Sequence, residues 1–129
     1  MTLDDVFREL TVFDDCRVIE NSEGLFILES TVTDKNTNPY GTAHGGYLFT
    51  LCDTVAGLTA ATMGDYVVTL QGNINYVKPA EKDDVLTVTG NICHNGSKTK
   101  VINVNIINQN DSLICTSTFT MYATGRISG

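Results

Sequence analysis

Asn38 to Met63 reads NPYGTAHGGYLFTLCDTVAGLTAATM, and the fold turns on how this stretch is read. From Tyr47 onward the residues are apolar or small almost all the way round a helical wheel, which predicts a buried helix over about Gly45 to Met63. Two features cost that helix stability. Asp53 lies near its centre, where an unpaired buried charge costs several kcal/mol. Gly45 and Gly46 open it, and each glycine weakens a helix by roughly 1 kcal/mol relative to Ala.

The flanking sequence supplies the cover such a helix needs. CRVIE and GLFILESTV, joined through NSEG, predict two strands, and TDKNTNPYGTA predicts a loop. Beyond the helix the period drops to two. Val68, Leu70, Gly72, Ile74 and Tyr76 predict one apolar strand face; Leu86, Val88, Gly90 and Ile92 another; Ile102, Val104 and Ile106 a third; Leu113 to Met121 a fourth. The turns between them (KPAEKDD, HNGSK with its Asn-Gly pair, NQNDS) imply an antiparallel meander. The N-x-S triplets at Asn95 and Asn110 fall in these turns and are read as turns. Residues 2–11 predict a short amphipathic helix capped by Thr2.

One flat sheet face cannot cover a helix that is apolar all round; a strongly curved antiparallel sheet can. That arrangement is the hotdog fold, an α+β architecture, and residues 1–129 are expected to form one such domain. Ala56, Gly57, Ala60 and Ala61 are expected to let the sheet approach the helix closely.

The chain has 129 residues, 42% of them hydrophobic, and a formal net charge of −7. That charge argues against nucleic acid, whose binding rests on Lys and Arg. No apolar run is long enough to span a bilayer and no leader pattern opens the chain, so a soluble cytoplasmic protein is expected. Cys16, Cys52, Cys93 and Cys115 are scattered among apolar or Thr neighbours and are expected as buried reduced thiols. With His44 and His94 they make no zinc spacing, and neither a metal nor a cofactor is expected. No G-x-S-x-G nucleophile elbow and no phosphate-cradling G-x-x-x-x-G-K-[ST] occurs.

The first N–H groups of a helix have no internal partner and carry the positive end of its dipole. Gly45 and Gly46 would let a ligand oxygen come against them, as suits a thioester carbonyl whose charge grows on attack; alternatively they serve a tight turn. Asp53 is either a structural carboxylate or one poised to activate water or attack a carbonyl. Gly45 and Asp53 are eight positions apart, hence roughly 12 Å along the axis at ~1.5 Å per residue. One helix cannot bring both to one carbonyl, so a site using both requires a homo-oligomer in which Gly45 of one subunit faces Asp53 of another.

The spacing Asn38-x5-His44-Gly45-Gly46-x6-Asp53, continued by TLQGNINYVKPA, resembles the hotdog-fold acyl-CoA thioesterases of the phenylacetic-acid-degradation type. The similarity runs from about Leu10 to Ala123. It implies that the Gly45 N–H and the Asn38 side chain polarise the thioester carbonyl. Asp53 of the facing subunit would be general base or nucleophile, with Thr69 holding the water and His44 shaping the loop or bonding near the leaving group. The acyl-CoA substrate would contact Gly46 and Tyr47, with its phosphates near Lys78, Lys82, Lys98, Lys100 or Arg126. Dimers paired into tetramers are implied. Tyr47 is expected to shorten or reshape the acyl pocket. Two rival readings remain: a hotdog dehydratase, whose Pro-rich helix entry is missing here, and a non-catalytic acyl-CoA-binding hotdog module. The joint presence of Asn38, Asp53 and Thr69 favours the enzyme.

Overall fold

A computed structural model describes residues 16–128; the helix expected over residues 2–11 lies outside them. Strands β1 (Cys16–Ser22) and β2 (Leu25–Thr31) precede helix α1 (Gly45–Ala61), followed by β3 (Asp65–Tyr76), β4 (Val85–Asn95), β5 (Thr99–Ile107) and β6 (Leu113–Arg126). A single 3₁₀ turn, Asp34–Asn36, interrupts the loop before α1. The strands form one antiparallel sheet in the order β1-β2-β4-β5-β6-β3, leaving β1 and β3 at its edges. Helix α1 packs against β2, β3, β4, β5 and β6 alike, so the sheet curves round it as the hotdog expectation requires. Among the described residues no helix is long and apolar enough to cross a membrane.

The alternation expected of β5 is met, every second residue being buried, and β2 shows the same pattern. Phe26, Leu28, Leu86, Val88, Ile102, Val104 and Phe119 enter the core opposite Leu51, Val55 and Leu58 of α1. Two sheet glycines set how closely the helix lies. A Cβ at Gly90 would stand 2.1 Å from Thr59 Oγ1 and 2.9 Å from Val55 Cγ1, and one at Gly72 would stand 2.5 Å from the Phe119 ring. The second contact sits beneath an edge-to-face pair, Phe49 on Phe119, with ring centroids 5.4 Å apart. Ala56 and Ala60 do meet the sheet as expected, but Gly57 does not: it is half-buried, with nothing within 4 Å of its Cβ position.

Strand β3 departs from its expected face. Its register against β6 slips between Thr69, opposite Met121, and Gln71, opposite Thr120. The extra residue reverses the alternation. Val68 and Leu70, expected on the apolar inner face, are therefore 52% and 58% exposed. Thr69, itself exposed, faces α1 in their place and bonds Asp53.

An ion cluster ties the start of β3 to β5 and the end of β6. Lys100 Nζ lies 2.9 Å from Asp65 Oδ2, and Arg126 Nη1 lies 2.9 Å from Asp65 Oδ1. The Lys100 ammonium also donates to Asn95 Oδ1 and to the Gly96 carbonyl. Burial alone would raise the Asp65 pKa; its hydrogen bonds and charge attraction to Lys100 and Arg126 outweigh that and hold it below the usual carboxylate range.

Two predictions follow from this packing. Gly90→Ala should cost about 1–3 kcal/mol by overpacking, read as a lower urea midpoint; a variant as stable as wild type would show that α1 does not rest on β4. A carboxylate whose folded pKa is depressed stabilises the fold above its unfolded pKa and loses that contribution as pH falls through the folded value. The urea midpoint of wild type should accordingly fall more steeply than that of Asp65→Asn between about pH 5 and about pH 3. Parallel slopes would remove Asp65 from the acid response.

Candidate active site

Two polar sites lie along α1, and β3 touches both. The first is at the helix start. His44 is the N-cap but makes no side-chain cap. Its backbone does the work: the N–H donates to the Asn36 carbonyl (2.8 Å) and the carbonyl accepts from Leu48 N–H (3.1 Å). Its imidazole is exposed. The N–H groups of Gly45 and Gly46 thus begin the helix without a capping side chain, at the positive end of its dipole. Both glycines are exposed. An open cleft of about 270 Å³ adjoins them, lined by Thr42, Ala43, Gly45, Leu48 and the segment Tyr76 to Ala80.

The loop leading in is stiffened from within. Asn38 Oδ1 accepts from the N–H groups of Tyr40 (2.9 Å) and Thr42 (3.2 Å), and its Nδ2 donates to Thr42 Oγ1 (2.8 Å). Asn38, expected at the carbonyl, is here committed chiefly to this loop, with one N–H of its amide left over. Ala43 N–H then bonds the Ala80 carbonyl (2.7 Å), which fixes the cleft's two walls together.

Tyr76, at the end of β3, closes the cleft over the helix start. Its hydroxyl donates to the Gly45 carbonyl (2.8 Å). Burial, and beyond it the electrostatics of Cys115 and Cys52, raises its pKa, so it remains a donor at neutral pH. Sequence reasoning passed over this residue; its signal was the strand ending NYVKPA, where it stands two residues before Lys78.

The second site centres on Asp53. This carboxylate was expected to be buried in an apolar helix; it is half-buried, on the flank of α1 left open beside the edge strand β3. Thr69 Oγ1 donates to Asp53 Oδ1 at 2.6 Å, the pairing that the β3 bulge makes possible. On the same helix flank, Phe49 and Gly57 stand one turn to either side.

The structure thus joins Asp53 to Thr69, and Gly45 to Tyr76, but keeps the two pairs apart within one chain. Other expected residues fall elsewhere. Tyr47 was expected to shape the acyl pocket; its hydroxyl instead hydrogen-bonds that of Ser30 on β2 (2.5 Å), and its ring packs on the core, outside the cleft lining. Lys100, expected among the phosphate contacts, is 2% exposed and belongs to the Asp65 cluster. Lys82 is exposed and pairs with Asp34 (3.0 Å), Lys98 is exposed on the β4–β5 turn, and Lys78 is exposed in the cleft. Of the thiols, Cys52 and Cys115 are buried, which pushes their pKa values up to about 12 and about 11; Cys93, by contrast, is exposed.

Comparison with known proteins agrees with this geometry. The family model described as the thioesterase superfamily matches residues 40–115. The acyl-coenzyme A thioesterase PaaI of Escherichia coli K12 is 31% identical over 97 residues, covering 75% of this chain and 69% of that protein. Among solved structures, a hypothetical thioesterase from Streptococcus pneumoniae TIGR4 with coenzyme A is 40% identical, covers 98% of this chain and 100% of its own, and superposes with a TM-score of 0.95. The smu.793 protein of Streptococcus mutans UA159, bound to acetyl CoA, is 40% identical over 90% of this chain and 94% of its own, with a TM-score of 0.87. The family match spans more than half of the sequence and falls on the helix start, Asp53 and Thr69 together: the chain belongs to the thioesterase superfamily.

Proposed function

We propose that this protein hydrolyses the thioester of a small aromatic or short- to medium-chain acyl-CoA, releasing the free acid and CoA, at sites shared between two subunits. The observation that carries the reading is the division of the polar groups: helix-start donors with the cleft at one end of β3, a hydroxyl-held carboxylate at the other. The names of the relatives, a PaaI thioesterase and structures holding coenzyme A or acetyl CoA, support the substrate class.

The edge strand supplies the second subunit. Val68 and Leu70 are more than half exposed on β3, whose outer edge no other strand among the described residues covers. Antiparallel pairing of β3 with a second copy, about a two-fold axis between Gly72 and Asn73, sets Tyr76 of one chain across from Thr69 of the partner subunit. Gly45 and the partner's Asp53 then flank one reacting group, which a single chain cannot achieve. Pairing of such dimers into tetramers is the larger assembly we infer. A cytoplasmic location suits the substrate and the free thiols of Cys52, Cys93 and Cys115.

In this arrangement the thioester carbonyl points its oxygen at the Gly45 N–H, which gains strength as charge develops there. The remaining N–H of Asn38 supports it. Thr69 holds Asp53 Oδ1, leaving Oδ2 to take a proton from water as the water oxygen bonds to the carbonyl carbon. Collapse of the tetrahedral adduct breaks the carbon–sulfur bond, and the departing thiolate takes the proton that Asp53 received, which restores the carboxylate. His44 shapes the entry to the helix. The acyl group lies against Ala43, Leu48 and Val77, and Gly46 leaves room beside it. Lys78 at the cleft and Lys82 beyond it suit the phosphates of CoA; Lys98, near the Asp53 end of its own chain, would reach the same ligand from the partner.

Thiol release from a panel of acyl-CoAs tests the activity directly. Wild type should turn over at least one member, and Asp53→Ala should lose at least ~10²-fold in kcat while staying folded. Tight acyl-CoA binding without turnover would make the protein a binding module instead. The shared site has its own test. Gly45→Pro deletes one N–H at a position where helices accept proline, after a residue whose ψ of 137° already suits it. Mixed with Asp53→Ala, itself inactive, it should recover about a quarter of wild-type activity through one intact site per hybrid dimer. Hybrids that form and stay inactive would refute the two-subunit site.

A further inference from the structure

Resting on that reading, we propose that Tyr76 is a positioning residue for the reaction: its hydroxyl braces and polarises the Gly45–Gly46 peptide, making the Gly46 N–H a second donor to the thioester oxygen. The geometry begins with which peptide is held. The carbonyl that accepts from Tyr76 at 2.8 Å belongs to Gly45, and the N–H of that same peptide unit belongs to Gly46. A peptide that accepts a hydrogen bond at its oxygen donates more strongly at its nitrogen. Tyr76 therefore acts on the N–H one residue further into the helix than the donor the sequence pattern singles out.

Three further observations point the same way. Gly46 is exposed and nothing stands within 4 Å of its Cβ position, which leaves room beside it for a ligand oxygen. A second hydroxyl, Thr50 Oγ1, donates to the Gly46 carbonyl at 2.8 Å, so each carbonyl of the glycine pair carries a side-chain donor. And a pair of glycines without a side-chain cap is the least rigid way to begin a helix, whereas oxyanion donors need fixed positions. Tyr76 meets that need from the cleft itself: its ring carbon Cζ and its oxygen lie 3.4 Å from the Gly45 Cβ position, so the phenol is packed against the donors it holds.

Tyr76→Phe keeps the ring and removes the hydroxyl. It should lower kcat about three- to tenfold, the scale of one neutral hydrogen bond, with KM and the urea midpoint nearly unchanged. A ketone analogue, with a methylene between sulfur and a ¹³C-labelled carbonyl, supplies the spectroscopic readout. On binding wild type its carbonyl stretch should move to lower frequency, and Tyr76→Phe should give back part of that shift. Wild-type kcat together with a wild-type carbonyl frequency in Tyr76→Phe would overturn the proposal while leaving the thioesterase reading intact. Absence of turnover by wild type on every acyl-CoA would instead remove the reading on which it rests, and the proposal with it. Should Tyr76→Phe fail to fold, 3-fluorotyrosine at position 76, a stronger donor of nearly the same shape, should deepen the carbonyl shift; an unchanged frequency would overturn the proposal.

Discussion

The structure is organised by the need to cover α1 on almost every side. Leu48, Leu51, Cys52, Val55, Ala56, Leu58 and Ala60 are each at most 3% exposed, and they do not lie on one stripe. A flat sheet would cover about one such stripe and leave the rest in water. Five strands therefore bend around the helix, and Gly90 and Gly72 are where the bend closes to contact. The cover is incomplete along the flank beside the edge strand β3. Gly46, Phe49, Asp53 and Gly57 share that flank, and none of them is fully buried. The helix thus keeps its charge where enclosure is unfinished, which spares the carboxylate the full cost of desolvation.

The helix start shows the same economy of placement. A capping Ser or Asp at position 44 would stabilise α1 by about 1 kcal/mol, but its side chain would occupy the N–H groups that a ligand oxygen could otherwise use. The protein stiffens the surroundings instead. Asn38 turns its amide inward to hold the loop, Ala43 is tied to Ala80, and Tyr76 and Thr50 hold the two glycine carbonyls. Rigidity is supplied from the carbonyl side of each peptide, and the N–H side is left open.

Much of this was legible in the sequence because it rests on periodicity and on local backbone chemistry. The all-round apolar helix, the alternating strands and their turns led to the curved sheet, and the glycine pair led to the helix-start donors. The misses share a cause: each depends on a contact far away in the chain. Lys100 reads as one more surface cation until Asp65 and Arg126, 35 and 26 residues away, are seen beside it. Tyr47 reads as a pocket residue because it follows the glycines, yet Ser30 on β2 draws its hydroxyl to the other side of the helix. Asp53 reads as buried because its neighbours are apolar, although burial depends on which strand stands at the sheet edge.

The β3 bulge joins these threads by a parity argument. Thr69 and Tyr76 are seven residues apart, and in a regular strand an odd separation places two side chains on opposite faces. Yet both must face α1, one to meet Asp53 and the other to meet Gly45. A single extra residue between Thr69 and Gln71 restores the match, so that Val67 and Thr69 face the helix before the bulge and Gly72, Ile74 and Tyr76 after it. Sliding the whole strand by one residue could not do this, since it would correct one contact and reverse the other. The bulge has a second consequence, because the residues it displaces have to go somewhere. Val68 and Leu70 turn away from the helix on the edge strand, so the same inserted residue that aligns Thr69 with Asp53 and Tyr76 with Gly45 also leaves an exposed apolar surface there.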